Sequence, residues 1–252
     1  MIKKLVASGL VVLSALAVSV CYAAPVGNPS GPVLLDGTYP TKITLEAEAV
    51  QSRKMNSGNS GVPKFSGQLM TLKGSFYVGH KLDIYGLVGT YEGKVRNFIG
   101  EQYIINSKFD GVFGGGVSYV LYELEFLRGI LRLGVDGKYR QCKTSIDRVQ
   151  YYRDKIDTSN NLYTFSEWQG AMGLGYQYKK IAPYMGVKYS NIESHIKFKQ
   201  GAVEHSETDM NSQRRWGLYY GVDLLASDTV SVNIEGRCRD EKAVSAGLNI
   251  RF

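Results

Sequence analysis

The final segment, Thr229–Phe252, alternates apolar and polar residues twice, with a polar turn at Arg239–Lys242 between the two runs. In the second run Val244, Ala246, Leu248, Ile250 and Phe252 share one face; Ser245, Gly247, Asn249 and Arg251 share the other. A period of two over this length is a strand with a different solvent on each side. If the apolar side faces lipid, no strand edge can be left unpaired, so the chain must close on itself and earlier segments must repeat the alternation.

They largely do. Thr41–Gln51 sets Ile43, Leu45, Ala47 and Ala49 against Lys42, Thr44, Glu46 and Glu48. Gln68–Val78 sets Met70, Leu72, Phe76 and Val78 against Thr71, Lys73, Ser75 and Tyr77. Leu82–Glu92 is apolar on both faces and its parity stays open, whereas Phe109–Tyr122 carries Phe113, Val117, Tyr119 and Leu121 on one side. Ile130–Arg140 reads clearly, with Leu131, Leu133, Val135 and Tyr139 outward and Arg132, Asp136, Lys138 and Arg140 inward. Trp168–Tyr178, Pro183–Ile192 and Arg214–Leu225 continue the pattern into the closing pair.

This predicts an all-β chain: a transmembrane, antiparallel, up-and-down β-barrel of about ten strands. Connections near 79–81, 123–128, 179–181 and 226–229 are short, and those near 53–66, 93–108, 141–165 and 193–213 are long. Short periplasmic turns and long extracellular loops fit that arrangement, with both termini on the periplasmic side. The outward faces meet outer-membrane lipid, and the last strand is expected to pair with Thr41–Gln51.

The first residues set the compartment. Lys3 and Lys4, then an apolar run from Leu5 to Val20, then Cys21-Tyr22-Ala23, read as a secretory signal peptide over residues 1–23. Val20 is too bulky to precede a lipidated Cys21. Residues 24–40 hold four of the six prolines and read as an irregular leader; the barrel takes 41–252. The protein is thus expected in the bacterial outer membrane. No later run is apolar enough for a membrane-spanning helix, but 18 Tyr and 29 Gly supply aromatic girdles and crowded strand crossings. Net charge is +7, and loss of Lys3 and Lys4 leaves a scattered excess that argues against nucleic acid as a partner. Cys142 and Cys238 remain after cleavage; they could bridge each other, pair with another molecule or stay free. There is no Cys/His cluster, so no metal or other cofactor is expected.

Two stretches carry a resemblance. A terminal Phe is typical of the last strand of outer-membrane barrels, so Phe252 resembles the insertion signal that the barrel-assembly machinery reads. Pro25-Val-Gly-Asn-Pro29, then Pro32, Leu34 and Asp36-Gly37, together with the Arg239–Phe252 close, resemble the chlamydial major outer membrane porin family. That resemblance implies a diffusion channel and disulfide-linked envelope proteins or homo-oligomers as partners. This chain is shorter and poorer in cysteine than the family's members, so pore width and cross-linking do not carry over intact.

The same parity points Lys42, Lys73, Arg132, Lys138, Arg140, Lys188, Arg215, Arg237 and Arg251 inward, against Glu46, Glu48, Asp136, Asp223 and Glu235. Such charges need either a hydrated lumen or mutual pairing. Eight strands give a filled interior and sixteen or more a channel, so ten lies near the filled end. Two functions follow: passive diffusion of ions and small solutes through a narrow, mildly basic lumen, or a non-conducting structural or adhesive barrel with surface recognition loops (Tyr151, Tyr152 and Trp168 among the candidates). His195 and His205 lie near Glu193, Glu204, Glu207 and Asp209, but no ordered catalytic set stands out and catalysis is not expected. His80 falls in a turn.

Overall fold

A computed structural model describes residues 26–28, 39–57, 62–79, 81–98, 103–151, 154–156, 162–200 and 203–252. The signal segment, most of the leader, His80 and Tyr152 lie outside the described residues, as do the side chains of Tyr151 and His205. The strands are β1 Thr41–Asn56, β2 Lys64–Val78, β3 Leu82–Phe98, β4 Tyr103–Ser107, β5 Asp110–Phe126, β6 Gly129–Tyr151, β7 Asp154–Ile156, β8 Leu162–Gln177, β9 Ile181–Gln200, β10 Val203–Ser212, β11 Trp216–Leu225, β12 Val230–Cys238 and β13 Glu241–Arg251.

Every pairing is antiparallel. In the lower part β1, β2, β3, β5, β6, β8, β9, β11, β12 and β13 form one closed ring of ten. The last strand meets the first from Lys42↔Arg251 to Arg53↔Glu241, as the alternation predicts. Chain turns at Leu127–Arg128 and at Lys179 use positive φ, 44°, 63° and 52°.

The predicted long loops are mostly strand. β6 runs for 23 residues and β9 for 20, about twice the 9–11 that a tilted strand needs to cross a membrane. Above the β12–β13 tip the ring is rebuilt with fewer members. β10 bridges β9 and β1, closing at Met55↔Ser212, while β4 takes the place of β5 between β3 and β6. The upper ring therefore has eight strands where the lower has ten.

The side chains change with it. In the lower storey apolar groups face out: on β6, Leu131, Leu133, Val135 and Tyr139 face out while Arg132, Asp136 and Arg140 are buried. Above Tyr139 the sense reverses, with Cys142, Thr144 and Ile146 buried and Lys143, Ser145 and Asp147 exposed. Strand parity is unbroken there; only the polarity of the residues switches. β3 does the same: Asp83, Tyr85 and Leu87 point in below, with Ile84 and Val88 out, and Tyr91 and Val95 point in above, with Glu92 and Arg96 out. This settles the parity that sequence alone leaves open.

The switch is marked outside by an aromatic line. Trp168 and Tyr189 have ring centroids 5.0 Å apart, Tyr189 and Trp216 5.1 Å, and Tyr139 lies beside Trp168 in register. Amphipathic aromatic rings favour the water–lipid boundary. The lower storey thus spans the bilayer, and the upper storey stands beyond it as a β-barrel with a dry core.

Candidate functional site: the barrel interior

The lumen has three levels. At the end that carries Phe252 and the short turns it is polar and hydrogen-bonded. Lys42 Nζ reaches the Tyr77 hydroxyl at 2.8 Å and Asp83 at 3.2 Å, and the Tyr85 hydroxyl donates to Asp136 at 2.7 Å. The Lys73 ammonium lies 3.7 Å from the centre of the Tyr85 ring, a cation–π contact. Glu46 accepts from Thr71 at 3.3 Å. Arg132 engages Glu123 and the Gln177 side chain, while Lys138 and Arg251 also face inward. Lys42, Glu46, Lys73, Asp83, Asp136 and Arg251 surround a recess of about 50 Å³, roomy and polar enough to hold water.

Residues 26–28 of the leader sit at this level. The backbone amides of Val26 and Gly27 both donate to Glu235, each at 2.9 Å, and Asn28 Nδ2 donates to Asp223 at 2.9 Å. Glu235 also accepts from Tyr184, and Asp223 from Asn233. Two predicted lumen carboxylates therefore hold the chain's own leader rather than open water.

The middle level is a layer of buried ion pairs. Arg53 meets Glu167 at 3.0 Å and Glu241 at 3.1 Å, and donates to the carbonyl and hydroxyl of Ser190. Arg140 meets Glu167 at 2.6 Å and Glu48 at 3.0 Å. Lys188 pairs with Asp240 at 2.9 Å and with Glu241; Arg237 lies 3.4 Å from Glu235. All of these side chains are almost fully buried. Charges taken out of water persist only when paired and hydrogen-bonded, and here positive and negative groups bridge the lumen from wall to wall.

The top level is apolar. Phe65, Tyr91 and Phe165 stack with interplanar angles of 3–6° and centroids 5.4–6.3 Å apart. Met55, Val95, Ile105, Cys142, Ile146, Val149, Tyr163, Ile192, Ile196 and Met210 belong to the same cluster. Arg140 lies 5.7 Å from the Phe165 ring, so the ionic layer and the aromatic stack touch. An eight-stranded ring is just wide enough for side chains to fill it.

Of the residues predicted to line the lumen, Arg215 is placed elsewhere. It precedes β11 at the upper rim, is exposed, and its guanidinium reaches the outward Tyr189 hydroxyl at 3.3 Å. The Cys142–Cys238 bridge does not form. Cys142 is sealed inside the apolar plug, Cys238 lies in register with the outward Leu218, and both are free. Burial, with Asp110 adding to it, pushes the Cys142 thiol up to about 12, and burial likewise raises the Tyr163 phenol. Only Cys238 is turned out of the wall, so a cross-link to another envelope protein would fall to it. His195 Nδ1 contacts Asp209 across the β9–β10 pair, both side chains exposed on the outer surface.

Four members of the ionic layer are absent from the predicted set. Arg53 is hidden by a β-bulge between Val50 and Ser52, which flips its parity inward. Glu167 has the right parity, two residues above Gln169, but lies just before the predicted Trp168–Tyr178 strand, which in fact begins at Leu162. Asp240 and Glu241 sit in a turn that reads as solvated; both are buried.

No protein-family model matches the chain, and no curated protein matches it. Among solved structures it is similar to the outer-membrane protease OmpT from Escherichia coli (9% identity, 85% of this chain and 98% of that chain, TM-score 0.46). It is also similar to the translocator domain of the autotransporter NalP from Neisseria meningitidis (10%, 87% and 90%, TM-score 0.48) and the β domain of the Bordetella autotransporter BrkA (11%, 84% and 99%, TM-score 0.41). By its own closed ring, apolar belt and aromatic line, the chain is an outer-membrane β-barrel.

Proposed function

We propose that this protein is a non-conducting structural or adhesive barrel, whose work is done by the storey that stands outside the membrane. The observation that carries this reading is the stacked plug of Phe65, Tyr91 and Phe165 above the wall-to-wall ion pairs. Moving an ion through it means displacing packed aromatic rings and then breaking charge pairs in a dry layer, each step costing several kcal/mol. An upper storey with a packed core holds its outer surface rigid, which suits presentation or adhesion better than a gate.

Passive diffusion of ions and small solutes, the porin reading, is favoured by the polar recess at the periplasmic end, with Lys42, Lys73 and Arg251 around it. The Pro25–Pro29 run and the closing strand support a short, divergent relationship to the chlamydial porin family, which also favours conduction. Planar-bilayer recordings of purified protein separate the two. We expect no unitary events in potassium chloride over the full voltage range. Reproducible steps from protein free of other porins would sink the closed-barrel reading and restore diffusion.

A further inference from the structure

The outer surface immediately above the aromatic line is lopsided in charge. Lys54, Arg214, Arg215, Arg239 and Lys242 are all exposed there. They come together through the fold. Gln213, beside Arg214, donates its backbone amide to the Lys54 carbonyl at 3.0 Å, and the Arg215 carbonyl accepts from Ser190 at 2.9 Å. Lys242 pairs with Ser52 in the β1–β13 ladder, and Arg239 tips the hairpin beside β11. The hairpin's own acids cannot answer these charges. Asp240 and Glu241 turn inward to Lys188 and Arg53. Glu193 and Asp209 stand higher on β9 and β10, engaged by Asn191 and His195. Among the described residues none of the five basic groups is held in an ion pair.

Directly below lie Trp216, Tyr189 and Trp168, and below these the outward Met185, Val187 and Leu218. The rings set the height of the water–lipid boundary. Basic groups just above it stand level with lipid headgroups, and the guanidinium fork matches phosphate geometry. We propose that this rim binds the phosphates of a phosphorylated glycolipid in the outer leaflet, with its acyl chains lying along the apolar wall below. The site rests on the barrel being seated in the membrane with this end outward.

The test uses the full chain in phosphatidylcholine nanodiscs doped with diphosphorylated lipid A or with the same lipid after phosphatase treatment, titrated by native mass spectrometry. The comparison variant is Arg214→Ala/Arg215→Ala/Lys242→Ala, three exposed side chains clear of the interior. A basic group at an anionic surface is worth about fivefold in partitioning, so the triple variant should bind the diphosphorylated lipid about a hundredfold more weakly. The two proteins should hold the dephosphorylated lipid equally, and excess inorganic phosphate should leave thermal stability unchanged. Equal binding by wild type and variant overturns the site, as does indifference to dephosphorylation. Stabilisation by inorganic phosphate matching that by lipid would make it a free-anion site and overturn the lipid. Quenching of Trp168 and Trp216 by brominated acyl chains reports seating independently. Quenching without phosphate dependence sinks this proposal alone; no quenching sinks the membrane seating with it.

Discussion

At the scale of single residues, the interior is decided by how many partners each charge has. Glu167 is a shared carboxylate of the ionic layer, placed between Arg53 and Arg140 at 3.0 and 2.6 Å. Its neutral isostere would leave both guanidinium groups buried and short of one counter-charge, and breaking a buried pair from one side costs about 3–5 kcal/mol. Glu167→Gln should therefore lower stability by about 3 kcal/mol in reversible urea unfolding from lipid vesicles. The exposed His195–Asp209 contact is the control, since surface pairs contribute at most about 1 kcal/mol. Asp209→Asn should shift the midpoint little. Equal effects of the two substitutions would mean that the layer is hydrated rather than dry, and the closed interior would lose its main support.

At the scale of elements, the richness in tyrosine and glycine has a use beyond girdles. Several tyrosines point into the lumen and lie over a glycine of a neighbouring strand. A Cβ at Gly221 would fall 2.4 Å from the Tyr184 hydroxyl and 2.5 Å from the Ile234 carbonyl; one at Gly186 would meet the Tyr219 hydroxyl at 2.5 Å. These aromatic covers close the gap that a missing side chain leaves in the sheet. Gly221→Ala should cost about 1–3 kcal/mol, the usual penalty of overpacking, because displacing Tyr184 also frees Glu235 and Asn233. At Gly137 a Cβ meets nothing within 4 Å, so Gly137→Ala should be neutral or slightly stabilising. Thermal unfolding followed by heat-modifiable gel mobility measures both; a tolerated Gly221→Ala would show that the ring is loose enough to breathe.

Elements also mark where the sequence stops being legible. Alternation locates the ten wall strands because one solvent on each side leaves a period of two, and the closing β1–β13 register follows from it. The upper storey hides for a physical reason. Above Tyr139 the outward face turns polar, so Lys143, Ser145 and Asp147 read as loop when the inward Cys142, Thr144 and Ile146 are carrying a strand. A bulge conceals Arg53 and a tight turn conceals Asp240 and Glu241. The lower lumen was readable, whereas the layer that closes it depends on one parity break and one turn.

At the scale of the whole molecule, two cylinders of opposite polarity are stacked end to end on continuous strands. The lower is stabilised by lipid outside and paired charges inside; the upper, outside the bilayer, has only its own packed core. Narrowing from ten strands to eight makes that core possible, since β12 and β13 end at the membrane line and β10 takes over between β9 and β1. A sheet closed in this way should open only by global unfolding, which gives its amides protection near the full stability of the molecule. Hydrogen exchange on micelle-bound protein should therefore find Cys142–Val149 on β6 and Ile192–Ile196 on β9 nearly as slow as the membrane-spanning Leu131–Tyr139. The exposed hairpin tip at Arg239 should exchange within seconds. Fast exchange throughout the two upper segments would make them loops in solution; the plug they frame would then be labile, and a conducting lumen would again be the better reading.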